Sequence, residues 1–275
     1  MKKLLLVLTF VLPLSAFAAK VDTIMVKSPS MNKEVQVVIV TPDKALGAGA
    51  TACPVIYLLH GYSGNARSWI ELKPQLSQIA DEKGIIFVCP DGKNSWYWDS
   101  PKDPSYRYET FVAKELINYI DGNYKTIPSR KGRAITGLSM GGHGAMWLSI
   151  RNKDTFGAAG SMSGGLDIRP FPKNWEMSKQ LGAKDTNEVL WNQHTVINQL
   201  DKIQKGDLAI IIDCGLDDFF LQVNKDMHDA LVTRKIDHDF ILRPGAHNGA
   251  YWNNAVDYQI LFFSKFFMQQ GTAAK

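Results

Sequence analysis

The chain has 275 residues, 45% hydrophobic and 21% charged. That balance excludes a disordered or fibrous polymer, and the length suits one or two domains with a self-sufficient core. A formal net charge of +4, from 31 basic against 27 acidic residues, is too small and too dispersed for a nucleic-acid binder. Three cysteines (Cys53, Cys89 and Cys214) exclude a disulfide scaffold, and none pairs at metal-ligand spacing.

The first eighteen residues read as a leader. Met1-Lys2-Lys3 is basic, Leu4 to Leu14 is apolar, and Ala16-Phe17-Ala18 ends in small residues suited to cleavage before Ala19. The run is short of the ~20 apolar residues that span a bilayer. Loss of Lys2 and Lys3 takes the charge from +4 to +2. The mature chain is therefore expected outside the cytoplasm, as one domain over 19–275. The cysteines lie in or beside apolar runs and are expected as buried free thiols.

Two strands, Val21–Ser28 and Glu34–Thr41, open the mature chain around a Pro29-Ser30-Met31-Asn32 turn. Val55–Leu59 is wholly apolar and suits a strand covered on both faces. A helix over Trp69–Glu82, a strand Ile85–Cys89 stopped by Pro90-Asp91-Gly92, and an amphipathic helix Phe111–Tyr124 follow. Strand Arg133–Leu138, helix Gly142–Asn152 and strand Phe156–Ser163 come next, then an irregular stretch, Gly164–Asn187, expected as a short insertion over the active site. Strand Leu208–Cys214, helix Leu221–Arg234, strand Asp239–Leu242 and helix Asn254–Met268 close the chain. Strands alternating with helices predict an α/β fold with a mostly parallel central sheet and helices on both faces.

Gly137-Leu138-Ser139-Met140-Gly141 is G-x-S-x-G between a strand and a helix, the context a nucleophile elbow requires. Such a turn lifts a strained serine to the N-terminal end of a helix, whose dipole favours developing negative charge. A serine needs a general base, and in this arrangement the chain order is serine, acid, histidine. His60 precedes the serine and His143 lies beside it. His194 precedes the strand that would carry the acid, His228 falls mid-helix and His238 opens a strand. His247 lies in a loop just after the last strand and is the expected base. After Leu208–Cys214, Asp213, Asp217 and Asp218 are candidate acids. Asp213 is still inside the strand, Asp217 suits a turn or cap, and Asp218 is favoured by its spacing from Gly215. Two backbone amides would hold an oxyanion: Met140, after the serine, and Tyr62, in the loop after Val55–Leu59.

Together these motifs resemble the esterase D family of α/β-hydrolases over essentially the whole mature chain: Leu59-His60-Gly61-Tyr62-Ser63-Gly64-Asn65, Pro90-Asp91-Gly92, Gly137-Leu138-Ser139-Met140-Gly141-Gly142, Gly215-Leu216-Asp217-Asp218-Phe219 and Gly245-Ala246-His247. That family includes tributyrin, feruloyl and acetyl-xylan esterases, S-formylglutathione hydrolases and mycolyltransferases. The resemblance implies the triad Ser139, Asp218, His247 and the amides of Tyr62 and Met140. It implies no cofactor or metal, and a small-molecule or carbohydrate ester as partner. The S-formylglutathione hydrolase branch usually carries Ser-Gly where this chain has His60-Gly61, and it is cytosolic. Acyl transfer on the same triad is the first rival reading, and a non-catalytic carbohydrate-binding module the last. Trp96, Trp98, Trp175 and Trp252 are placed near the catalytic mouth as substrate-stacking candidates, with plain loop packing as the alternative. Asn94, Asp99 and Arg107 are candidates for contact with a polar alcohol, while Trp69, Trp147 and Trp191 are expected in the core.

Overall fold

The computed structural model describes residues 19–273. The expected leader over 1–18 lies outside the described residues. Eight strands form one sheet: β1 (Lys20–Ser28), β2 (Lys33–Thr41), β3 (Val55–Leu59), β4 (Ile86–Pro90), β5 (Arg133–Gly137), β6 (Ala158–Met162), β7 (Ala209–Gly215) and β8 (Asp239–Arg243). Their spatial order is β1-β2-β4-β3-β5-β6-β7-β8. β1 pairs antiparallel with β2, and β2 antiparallel with β4; the other pairs are parallel.

Every residue of β3, β4, β5 and β6 is buried, which is why these segments lack polar alternation. Successive side chains point to opposite faces. Val55, Tyr57 and Leu59 enter one core layer with Val37, Ile39 and Ile135. Ile56 and Leu58 enter the other with Val38, Val40 and Ala134. Helices α1 (Ser68–Leu72), α2 (Leu76–Lys83) and α6 (Gly249–Gln269) cover this second layer through Trp69, Ala80 and Phe263. Helices α3 (Leu116–Asn123), α4 (Met140–Arg151) and α5 (Leu221–Thr233) cover the first through Ile120, Met146 and Met227. Burying one such large apolar side chain stabilises by roughly 1.5–3 kcal/mol. This architecture has the mostly parallel α/β sheet that the alternation of elements predicts, and it is the α/β-hydrolase fold that the resemblance implies.

Three elements differ from the sequence reading. The single helix expected over Trp69–Glu82 is two, α1 and α2. Pro74 disfavours helical backbone at Lys73, which stands at φ −125°, ψ 77°, although the apolar spacing runs across the break. The helix expected from Phe111 begins earlier, at Tyr108–Thr110, and passes through a π turn over Phe111–Glu115 into α3. Helix α6 starts at Gly249, not Asn254, because the Asn248 side chain accepts from Tyr251 N (3.0 Å) and caps it. Beyond the insertion, a short helix Glu188–Gln193 and a 3-10 segment Val196–Lys202 complete the first layer with Trp191, Val196 and Leu200. Cys53, Cys89 and Cys214 are buried free thiols. Among the described residues, no helix is long and apolar enough to cross a membrane.

Candidate active site

Ser139 sits between β5 and α4 with φ +54° and ψ −118°, a costly conformation for a residue with a side chain. Close backbone approach around it explains the flanking glycines. A Cβ on Gly141 would lie 2.2 Å from the Leu59 carbonyl oxygen, and one on Gly137 would lie 2.5 Å from the Gly141 backbone. The turn is tied down by Ser139 N donating to Met162 O (2.9 Å) and His143 N donating to Ser139 O (3.0 Å).

The ends of β5, β7 and β8 bring three side chains together. His247 Nε2 is 2.9 Å from Ser139 Oγ, and His247 Nδ1 is 2.9 Å from Asp218 Oδ2 and 3.0 Å from Oδ1. Asp218 is buried, and its Oδ1 also accepts from Phe220 N (2.8 Å), so the carboxylate cannot swing away freely. The other candidate acids are elsewhere. Asp217 is exposed, and Asp213 is fully buried against Arg243 and Tyr251. The amides of Tyr62 and Met140 have no hydrogen-bond acceptor among the described residues. That of Met140 is one of the free donors at the start of α4.

The serine opens into a cleft of about 460 Å³ lined by Tyr62, Leu72, Leu138, Trp175, Phe219 and Trp252, among others. The Phe219 ring lies 4.1 Å from the His247 ring, and Trp252 meets His247 edge-on at 4.9 Å. Trp175 stacks on Phe219 at 5.7 Å. A larger groove of about 830 Å³ runs past Glu109, Arg151 and Gln199, but it brings no serine or cysteine to its one histidine, His194. Among the described residues, no group of three or more His, Cys, Asp and Glu side chains could hold a metal.

Trp175 and Trp252 line the cleft, whereas Trp96 and Trp98 do not. The latter two are 1% and 0% exposed and pack beneath the catalytic turn. Trp96 and Tyr97 both take left-handed backbone, which folds this loop inward, not up to the mouth. Trp98 Nε1 donates to His143 Nε2 (2.9 Å), and Tyr97 OH donates to His60 O (3.1 Å). None of the alcohol-contact candidates lines the cleft. The Asp99 carboxylate accepts from Thr110 N and Oγ1 (2.9 and 2.6 Å), the Arg107 backbone bridges to Asp99, and Asn94 Oδ1 accepts from Ser63 N (2.8 Å) beside Tyr62. Trp69, Trp147 and Trp191 are in the core.

Two histidines set aside by chain order brace the site from behind. His60 Nε2 accepts from Gly92 N (2.8 Å) while its Nδ1 donates to Gly61 O (2.7 Å), tying the Tyr62 loop to the end of β4. His143 Nδ1 donates to Gly165 O (2.8 Å) and its Nε2 accepts from Trp98, so both ring nitrogens of the neutral imidazole are engaged. Complete burial lowers its pKa from the usual 6.5 to about 3. Because the folded protein then binds fewer protons than the unfolded chain between pH 6.5 and about 3, stability contributed by His143 is full above 6.5 and lost as pH falls through that window. Chemical denaturation from pH 7 to 4 should therefore show a steeper loss of stability in the wild type than in His143→Gln. Parallel slopes would contradict this.

The Esterase family model matches residues 28–263 of the chain. An acetyl esterase of Caldicellulosiruptor saccharolyticus is 27% identical over 224 residues, covering 76% of this chain and 83% of that one. Among solved structures, a ferulic acid esterase superposes with a TM-score of 0.77 at 29% identity, over 91% of this chain and 99% of that one. A fluorophosphonate-binding serine hydrolase F of Staphylococcus aureus superposes with a TM-score of 0.79 at 22% identity, over 90% and 98% of the two chains, a likeness of fold. The chain belongs to the Esterase family, and it is a carboxylesterase of the esterase D-like kind.

Proposed function

We propose that the chain is a secreted serine carboxylesterase that cleaves short-acyl or hydroxycinnamoyl esters of sugar-type alcohols. The observation that carries this reading is the unbroken hydrogen-bonded line from Asp218 through His247 to Ser139 Oγ. Ser139 Oγ attacks the ester carbonyl carbon as His247 Nε2 takes its proton. Asp218 holds the Nδ1 proton and stabilises the imidazolium. The carbonyl oxygen, now an anion, is met by the Tyr62 and Met140 amides, each worth roughly 3 kcal/mol in such sites. Collapse expels the alcohol, which takes the proton from His247. Water then attacks the acyl-serine with His247 again as base, and the carboxylic acid leaves.

The acyl assignment rests on the aromatic walls of the cleft and on the acetyl and ferulic acid esterases among the relatives. Secretion rests on the basic, apolar, small-residue order of residues 1–18. A panel of p-nitrophenyl acetate, p-nitrophenyl palmitate, methyl ferulate and acetylated xylan tests the substrate class. Turnover of the acetate and ferulate esters with little of the palmitate is expected. Trp175→Ala should raise KM for methyl ferulate roughly tenfold and leave the acetate nearly unchanged. A folded protein that turns over only the palmitate, or none of the panel, overturns the assignment.

A further inference from the structure

Asp213 is 0% exposed on β7, directly after three buried isoleucines. A buried carboxylate is expensive unless it is paired and hydrogen-bonded. Here Arg243 Nη2 donates to Asp213 Oδ2 (2.5 Å) and Tyr251 OH donates to Oδ1. The Asp213 backbone oxygen also accepts from Ser163 N at the end of β6 (2.8 Å). Burial pushes the carboxyl pKa up, opposed by the two donors.

The position of these donors is informative. Arg243 ends β8 and Tyr251 lies in the first turn of α6, so they bracket the loop that carries His247. Asp213 itself lies five residues before Asp218. One carboxylate therefore ties both stems of the histidine loop to the strand that delivers the acid. Backbone bonds complete the stitch: Leu216 N donates to Arg243 O and Asp217 N to Gly245 O, both at 2.9 Å. Arg243 is further fixed by Asn254 Oδ1 (2.8 Å) and by the Tyr258 ring, 4.0 Å from its guanidinium.

We propose that Asp213, Arg243 and Tyr251 form a positioning clamp that sets the His247 imidazole against Asp218 and Ser139. This inference rests on the triad reading above. None of the three touches the reacting atoms; the clamp acts by holding the Asp218 and His247 loops in register. Misplacing a catalytic group by about 1 Å costs up to roughly a hundredfold in rate.

Tyr251→Phe, which removes only one hydroxyl, and Asp213→Asn test it. Active sites are titrated with a fluorophosphonate, and kcat and KM for p-nitrophenyl acetate are expressed per titrated site. The clamp predicts kcat lowered roughly tenfold to a hundredfold per titrated site with KM little changed. A merely structural role would reduce the number of titratable sites and leave kcat per site intact. Unchanged kcat per site in Tyr251→Phe, in a protein whose labelling is lost in Ser139→Ala, overturns the clamp and leaves the serine reading standing. Labelling that survives Ser139→Ala overturns both.

Discussion

Replacing Ser139 with alanine is expected to lower kcat on p-nitrophenyl acetate by roughly a millionfold while the protein stays folded. The size of the effect follows from the loss of the covalent route: without Oγ, no acyl-enzyme forms, and His247 and the Tyr62 and Met140 amides act on bulk water alone. The fold should tolerate the change because the Oγ has no partner among the described residues other than His247. The glycines that create the turn, Gly137 and Gly141, are untouched. Thermal unfolding within about 0.5 kcal/mol of wild type, together with the loss of turnover, is the expected pair of results. Retained turnover in a folded Ser139→Ala protein would place the chemistry elsewhere.

Asp218→Asn should cost roughly ten-thousandfold in kcat. In the wild type, both carboxylate oxygens face His247 Nδ1 at 2.9–3.0 Å, so the proton resides on Nδ1 and Nε2 is free to take the serine proton. An asparagine amide that donates to Nδ1 would force the ring proton onto Nε2, where the imidazole can no longer act as base. The buried Phe220 amide would still find the remaining side-chain oxygen, so the loop should keep its course. Because the groups act as one unit, Ser139→Ala with Asp218→Asn should be no slower than Ser139→Ala alone. Near-wild-type kcat in Asp218→Asn, measured across pH 6 to 8, would contradict this role for Asp218.

What could be read from the sequence depended on how local its cause was. The serine turn was legible because its two glycines and its serine fall within five consecutive residues, even though the close approach that demands the glycines is partly to Leu59 on the neighbouring strand β3. For the histidine and the acid the signal was the placement of strand ends at one end of the sheet: chain order pointed to His247, spacing from Gly215 favoured Asp218 over Asp213 and Asp217, and the structure brings the two within hydrogen-bond distance. Trp96 and Trp98 were not legible. Their inward course is set by His143, at 45 residues' separation from Trp98, and by left-handed backbone at Trp96 and Tyr97 that composition does not announce. Trp175 has the same left-handed conformation and yet lines the cleft, so an aromatic residue in a loop does not by itself declare its direction. Phe219, the ring nearest His247, had only its adjacency to Asp218 as a signal. In the sequence Asp213 is only a carboxylate at a strand end; its partners Arg243 and Tyr251 lie 30 and 38 residues away and are brought to it by the fold. The break at Pro74 was available in the residues, but the continuous apolar spacing concealed it.

The chemistry proposed for this site turns on Ser139 as a nucleophile activated by His247. Reacting the purified protein with a fluorophosphonate and mapping the adduct by peptide mass spectrometry tests it directly. A single adduct on Ser139, lost in Ser139→Ala and much slowed in His247→Ala, is the predicted result. An adduct on another residue, or a folded wild-type protein that takes up no label, would contradict it.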